Sequence, residues 1–495
     1  MPDAARAGIL TEAAGNPYLL VELGRSAKRL HSEGIPFDLR SVVAERVAAL
    51  SDSERLLFMR LALFARPAPL FVTLRSAGPS ATLEDVRRLE VAGLVRIIRR
   101  DARVWVETYH DRLRAVVGER VGEEERQEHF RALALAFEEH ERSDGAALSI
   151  CWKEAGHPRK AASYALDAAR RAERKLAFDR AAGWYEEALL LGAYTAEQRH
   201  RILIDLGRAA DLAGYGARAA RAFQEAAETA GPVERTELLR RAAQALIASG
   251  LEATGMEILT EVLAAVGCPT PKNTLAVLTS LTWQRFDLQR RRLEIGPRPL
   301  TALERRQLDA LHVAVVSAFH HDPLRGWLFA AMQLRRALAG ADEQRLLQAV
   351  SNYLAFAATQ VVSDPTVVRA FEDFGRSLSS RVSDPALAAW FETARGTRAL
   401  LEGRWREATE RLRAAERVLR EQPGKRWELT TARRVYAAAV QLVGDMGCIE
   451  AELRDWLADA ERRDDREGVI THSLALGYAV LARGDTSELP ILLER

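Results

Sequence analysis

The feature that most constrains this chain is a long region of helical periodicity. From residue 110 onward, apolar residues recur at i, i+3, i+4 and i+7, and Gly or Pro separates one short stretch from the next. This spacing places the apolar side chains on one face of an α-helix. Because a single helix pair cannot bury its apolar face alone, a series of such pairs predicts a helical repeat protein.

One repeat unit shows the pattern clearly: Leu206, Gly207, Ala210, Gly214, Ala219, Phe223, Ala226 and Pro232. Their offsets are those of a tetratricopeptide repeat. Small residues at Gly207 and Ala219 would let two helices approach, and Phe223 would fill the space between them. Gly214 would turn the chain, and Pro232 would stop the second helix.

Further units follow the same offsets. They contain Ala243, Gly250, Gly255 and Leu259, and then Gly396, Gly403, Ala408 and Leu412. Weaker units lie around 156–161, 181–188 and 444–453. The sequence therefore predicts a mostly α-helical chain, an α-solenoid of tetratricopeptide-like repeats whose concave face binds a protein or a small-molecule signal.

A different pattern precedes the repeats. Ser51 and Thr82 begin helices as capping-box residues, and Pro67 and Gly78 interrupt the helical stretches. Two β-rich runs, 94–99 and 103–109, then predict a hairpin. Three helices followed by a hairpin is the element order of a winged-helix domain, which we place at 38–118.

The winged-helix order raises the question of DNA. Arg87 and Arg88 lie on the third helix and Arg100 lies in the hairpin, so these three residues are the candidates for a nucleic-acid contact. The same helix carries three carboxylates, however, and a helix that reads the major groove usually carries more positive charge. DNA is therefore not the expected partner, although a winged-helix transcriptional regulator remains the alternative.

Composition excludes several other classes of protein. The net charge is +2, and 48% of the residues are hydrophobic, as in ordinary globular proteins. Three separated cysteines indicate neither a disulfide framework nor a zinc site. The chain has no apolar run of about 18 residues and no signal peptide, so we expect a cytoplasmic protein without a membrane partner.

Several short motifs imitate catalytic or cofactor sites. Asp373–Gly375 spells a kinase magnesium triplet, and Gly214–Ala219 imitates a dinucleotide loop. Neither has the surrounding elements that such a site needs. Gly424 and Lys425 do not form a P-loop, and we interpret His320–Asp322 as a helix end. The expectation is no catalytic residue, no metal and no cofactor in this chain; an enzyme whose site is assembled from distant residues stays open.

Two further segments interrupt or end the repeats. The region 270–306 breaks the period and contains the triplet Arg290–Arg292, which could meet an acidic partner but is better explained as a solvated helix end. The segment 472–495 resembles only the first part of another repeat, so the last helical segment is expected to be truncated.

Together, five segments resemble a known family. They are GNPYLLVEL at 15–23, TYHDRLRAV at 108–116, AERKLAFDRAAGWYEEAL at 172–189, LTEVLAAVGCPTP at 259–271 and LDALHVAVVSAFHHDPLRG at 308–326. In this order they resemble the C-terminal region of large bacterial serine/threonine protein kinases that carry a STAND-type signalling ATPase. The resemblance implies a lid motif at Gly15, Asn16 and Pro17, which would pack near ATP and magnesium only if an ATPase core lay upstream.

The resemblance completes the domain division. It adds a remnant of the ATPase lid at 1–37 to the parts that the residue patterns predict: the winged-helix domain at 38–118, repeats at 119–269, an irregular connection at 270–306 and a second repeat segment at 307–495. The kinase domain and the ATP-binding core of that family are absent from this sequence. We therefore expect a non-catalytic sensor and regulatory region that partners upstream ATPase or kinase domains, with a free-standing adaptor as another alternative.

Overall fold

A computed structural model of the chain describes residues 46–100, 103–109, 114, 117–118, 121–140, 144–271, 273–358, 365–484 and 486–494. The lid motif at Gly15, Asn16 and Pro17 lies outside the described residues. The chain divides into two compact units, one drawn from Met1–Ala172 and Gly183–Ala193, the other from Glu173–Ala182 and Tyr194–Arg495.

The first unit begins with a small mixed domain. Its elements are α1 Asp52–Phe64, β1 Ala68–Pro69, α2 Leu70–Ala77, α3 Leu83–Val91, β2 Val95–Arg100 and β3 Arg103–Thr108, followed by α4 Glu123–His140, α5 Gly145–Glu154 and α6 Pro158–Arg174. The three strands form one antiparallel sheet in the order β1-β3-β2. The hairpin predicted from the sequence is present, with Val95 opposite Thr108 and Arg100 opposite Arg103.

Local sequence explains how this domain starts and what holds it together. The Ser51 hydroxyl accepts a hydrogen bond from the Glu54 amide, and the Glu54 carboxylate accepts one from the Ser51 amide, so both ends of the capping box are made. Apolar residues of the helices, the sheet and α4 then share one core, in which Phe58, Val106 and Phe130 are almost fully buried.

The second unit consists mainly of helices. After α7 Phe178–Leu191, which the division between units crosses, it contains α8 Ala196–Ala213, α9 Gly216–Glu228, α10 Pro232–Ala248, α11 Glu252–Ala265, α12 Thr274–Arg290, α13 Ala302–His321, α14 Pro323–Ala337, α15 Glu343–Ala358, α16 Pro365–Ser379, α17 Pro385–Leu401, α18 Trp405–Arg420, α19 Arg426–Val443, α20 Glu450–Arg462, α21 Arg466–Ala482 and α22 Leu489–Leu493. Most consecutive helices pack on each other, which is the arrangement of a helical repeat array.

Glycine allows the close approach inside these helix pairs. A Cβ atom added to Gly207 would lie 2.6 Å from Phe223 Cε1, and one added to Gly396 would lie 2.6 Å from Leu412 Cγ. Pro232 has a different role from the one that the sequence predicted. It does not stop α9, which ends at Glu228, but occupies the first turn of α10, where its missing N–H leaves no helical bond unmade.

None of the described helices combines the length and the continuous apolar character that crossing a bilayer requires.

Candidate functional site

Helices far apart in the sequence meet within the second unit. Nη1 of Arg463, just after α20, donates a hydrogen bond of 2.7 Å to the carbonyl oxygen of Ala213 at the end of α8. The last carbonyls of a helix lack partners within the helix, and a cation there also interacts favourably with the helix dipole. Arg463 therefore caps α8 from 250 residues away.

The glycine turns of the first repeats make this meeting sterically feasible. Gly214 has a left-handed φ of 84°, and a Cβ at this position would lie 2.8 Å from Arg426 Nε. Gly250 has φ 77°, and its Cβ would lie 2.9 Å from the backbone nitrogen of Glu467. We call the contacts of these two turns with Arg463 and with the first turns of α19 and α21 the seam.

The seam borders a cleft of about 950 Å³. Acidic and basic side chains line it in equal number: Asp179, Asp211, Glu421, Glu452, Asp455 and Asp459, and Arg420, Lys425, Arg426, Arg433, Arg462 and Arg463. Its volume is at the upper end of the range for small-molecule sites, which are usually more apolar than this cleft. Such a lining favours a polar ligand that carries charges of both signs.

Asp459 holds the two arginines of the seam. Its carboxylate lies 3.0 Å from Arg463 Nε and 3.3 Å from Arg426 Nη2. Burial alone would raise the pKa of Asp459, but the charges of Arg463 and Arg426 lower it below its ordinary value. The seam is therefore held mainly by polar contacts, which a charged ligand or salt can compete with.

Asp211 is a charged group of the cleft without a direct partner. None of the described residues makes an ion pair or a hydrogen bond with its carboxylate, although protein atoms crowd it on several sides and water still reaches it. Burial raises the pKa of Asp211 to about 6, against the more distant charges of Arg240 and Arg241, which lower it. A ligand that offered a hydrogen-bond donor would find an acceptor here without displacing another contact.

A smaller cavity of about 30 Å³ also contacts Asp211, and His312 forms part of its wall. This volume holds about two water-sized groups. His312 is buried, and desolvation, together with the charges of Lys425 and Arg240, lowers its pKa to about 3, so the ring is neutral.

A chain of buried hydrogen bonds fixes which nitrogen of His312 carries the proton. Trp390 Nε1 donates to Asn352 Oδ1 at 2.9 Å, so the other amide atom of Asn352 must be the donor. That nitrogen donates to Gln333 Oε1 at 2.8 Å and to His312 Nδ1 at 3.0 Å. The proton of His312 therefore sits on Nε2, for which no described residue supplies an acceptor.

The sequence-predicted repeat residues fall into two groups. Ala219, Phe223 and Ala408 are buried between paired helices, like Gly207 and Gly396, and take no part in the cleft. Gly403 has φ 79° in the turn between α17 and α18, with open space around it. Gly214 and Gly250 were predicted only as turn residues, and the structure places both at the seam.

The arginines proposed for nucleic-acid contact belong to the first unit. Arg87 Nη1 lies 3.8 Å from a Glu84 carboxylate oxygen, and Arg88 Nη1 lies 3.7 Å from Glu54 Oε1. Arg100 is the last residue of β2. Carboxylates therefore already neighbour two of the three candidates.

The imitation motifs have structural explanations. Asp373–Gly375 lies inside α16, and a Cβ at Gly375 would lie 2.4 Å from the ring of Phe391, so this glycine serves helix packing. His320 and His321 end α13 before Pro323, as the sequence predicted. Among the described residues, no group of three or more His, Cys, Asp or Glu side chains is placed to hold a metal ion.

Sequence reasoning did not find Asp211, His312, Lys425, Arg426 or Arg463. Each belongs to an ordinary helical or loop stretch, and no local spacing marks it. One signal was available: Gly424-Lys425-Arg426 is a turn that brings two cations to the start of a helix. The partners of that loop, however, come from repeats about half the chain away.

No family model matches the chain, and no curated protein matches it. Among solved structures, the chain is similar to a signal transduction ATPase with numerous domains (STAND) protein with a tetratricopeptide repeat sensor from Pyrococcus horikoshii. The identity is 11% and the TM-score 0.34, and the match covers 100% of this chain and 69% of that chain.

Proposed function

We propose that this chain is the sensor and regulatory region of a bacterial, cytoplasmic signalling ATPase of the STAND type, and that it performs no chemistry itself. The observation that carries the proposal is the cleft at the seam. This cleft is a polar binding volume, and the contacts that hold distant repeats together lie at its edge. A ligand that competes for those contacts could change the arrangement of the array.

The mechanism follows from the chemistry of the seam. Arg426 and Arg463 share Asp459, and Arg463 also binds the end of α8. A protein segment or small molecule with charges of both signs would pair with these groups and with Asp211. Because a ligand shifts an equilibrium only by its differential affinity for two states, its effect depends on binding the closed and the opened seam unequally.

The remaining parts of the proposal concern the larger protein. The repeats would be of the tetratricopeptide type, and residues 38–118 would be a winged-helix domain that relays the state of the seam. The parent protein would carry the ATP and magnesium site, and a serine/threonine kinase domain as well. The element order of the first unit, three helices followed by a hairpin, supports the winged-helix assignment.

The test compares two arginine variants. Arg463→Gln removes the cap on Ala213, whereas the control Arg406→Gln removes an exposed side chain of α18 that does not line the cleft. Both are introduced into the protein encoded when the reading frame is extended upstream to include an ATPase core with a GxxxxGK[ST] loop. Arg463→Gln is expected to change ATP hydrolysis at least about fivefold, the lower end of ordinary allosteric coupling, and Arg406→Gln to leave it unchanged.

Three outcomes would contradict parts of this proposal. Equal hydrolysis rates in the two variants would exclude regulation through the seam. An extended reading frame without an ATPase core would replace the sensor by a free-standing adaptor. Binding of ATP and magnesium to this chain alone, measured by calorimetry, would overturn the proposal that it performs no chemistry.

A further inference from the structure

Helix α12 exposes an apolar face that no described part of the chain covers. Leu275, Leu278, Trp283 and Phe286 are 72%, 45%, 55% and 52% exposed. At 100° per residue these positions fall on one side of the helix, together with Thr279 and Thr282. The first three turns of that side therefore carry no charged residue.

The opposite face of α12 is already used. Val277, Leu281 and Leu288 are buried, and the helix packs on α14. A helix that is apolar on all sides is normally buried on all sides, and contiguous exposed apolar surface marks an interaction site. The unused face is therefore a candidate docking surface.

Arginines surround the end of this surface, and most lack carboxylate partners. Arg291 pairs with Asp287 at 2.7 Å, whereas none of the described carboxylates pairs with Arg290, Arg292 or Arg335. Burial lowers the pKa of Arg335, the charges of Arg336 and Arg291 lower it further, and the opposing charge of Asp287 does not restore it. Positive charge is thus in local excess, which favours an anionic partner.

Arginine also covers one face of each exposed ring. The guanidinium of Arg335 lies 5.3 Å from the centroid of Trp283, and that of Arg290 lies 4.2 Å from the centroid of Phe286. Stacked in this way, the rings are less available to nucleic-acid bases than bare aromatic platforms would be. Leu275 and Leu278 add aliphatic surface, which suits lipid chains better than bases.

We propose that the exposed face of α12, with the arginines at its C-terminal end, binds the surface of an anionic lipid bilayer. The apolar side chains enter the boundary between headgroups and acyl chains, while Arg290 and Arg292 meet the lipid phosphates. Apolar insertion and basic charge together give firmer attachment than either gives alone. This binding needs no membrane-spanning helix and does not depend on the function proposed for the cleft. It replaces the expectation of no membrane partner, which rested on the lack of a long apolar run in the sequence.

The test is co-sedimentation of the full chain with vesicles of phosphatidylcholine alone, or of equimolar phosphatidylcholine and phosphatidylglycerol. The chain is expected to bind only the anionic vesicles, and to dissociate at an ionic strength of about 1 M, where the Debye length is about 3 Å. The double variant Arg290→Gln, Arg292→Gln should weaken binding about 30-fold, taking about 1 kcal/mol for each arginine. Trp283→Ala with Phe286→Ala should weaken it by more than about tenfold.

Leu474→Ala is the matched control. Leu474 is 57% exposed on α21, so the substitution removes exposed apolar surface elsewhere in the same unit. It should leave vesicle binding unchanged, and unfolding curves should show that all variants fold. Failure to bind anionic vesicles, or equal binding by the Trp283/Phe286 variant, would overturn the proposal. Binding to single-stranded poly(U) without binding to vesicles would assign the surface to nucleic acid instead.

Discussion

Replacing Gly207 by alanine tests the packing on which the repeat array depends. The new Cβ would lie 2.6 Å from Cε1 of Phe223, 2.7 Å from Cδ1 and 2.9 Å from Cζ. Real Cβ atoms do not approach other carbon atoms so closely, so α8 and α9 must separate or the ring must move. Phe223 is only 2% exposed, which leaves its ring little free space to enter.

Two effects of opposite sign determine the change in the free energy of unfolding. Alanine favours a helix over glycine by about 1 kcal/mol. Overpacking a closely packed interior costs about 1–3 kcal/mol. Because the overlap involves three atoms of a rigid ring, we expect the steric effect to exceed the gain, and Gly207→Ala to destabilise the second unit by up to about 2 kcal/mol.

Gly477→Ala is the control. This glycine lies inside α21, and the nearest atom to its added Cβ would be Leu489 Cδ2 at 3.8 Å, an ordinary contact. The control should therefore stabilise the chain by up to about 1 kcal/mol. Urea unfolding followed by circular dichroism measures both variants. If Gly207→Ala were as stable as Gly477→Ala with an unchanged dependence on urea, the close approach of α8 and α9 would be refuted.

Two further predictions concern titratable groups with shifted pKa values, and their pH dependences have opposite signs. The pKa of His312 is lowered to about 3 in the folded chain, so its contribution to stability is present above pH 6.5 and is lost as the pH falls; the loss should reach about 3 kcal/mol by pH 4. Urea unfolding should show that the stability lost between pH 6.5 and pH 4 is smaller in His312→Leu than in the wild type. An equal loss in the two proteins would contradict the lowered pKa of His312. The pKa of Asp211 is raised to about 6, so its contribution is present below about pH 4 and is lost as the pH rises through 6. Since water reaches this carboxylate, Asp211→Asn should raise the free energy of unfolding by only about 1 kcal/mol at pH 7, and should leave it unchanged below pH 4. If Asp211 were paired, urea unfolding would instead show a loss of stability in Asp211→Asn at pH 7.

Much of the helical architecture could be predicted because its causes are local. The offset between Gly207 and Phe223 spans one turn between paired helices, and the spacing of the residues reports it directly. The capping box at Ser51 and the hairpin at 95–108 are likewise short-range patterns. Pro232 was misjudged because the same residue suits the end of one helix and the first turn of the next.

The candidate site could not be predicted in the same way. Asp211, His312 and Arg463 are separated by more than 100 residues, and their proximity depends on small angles between helix pairs, accumulated over the intervening repeats. The repeat pattern already accounts for Gly214 and Gly250 as turn residues. Nothing in the sequence therefore indicated that their turns also contact an arginine side chain and the backbone of distant helices.

The seam also changes how the second unit should unfold. A repeat array with only neighbouring contacts is quasi-one-dimensional, and its terminal repeats fray independently of the rest. The hydrogen bond from Arg463 to Ala213 joins two repeats whose contact residues are 250 positions apart. Neither repeat can therefore unfold without breaking this bond. Fraying from α20 must break this bond and uncover the end of α8, so the two ends of the array are coupled in stability. The unit should accordingly fold more slowly, because of this long loop closure, and melt more cooperatively than an open array of the same length.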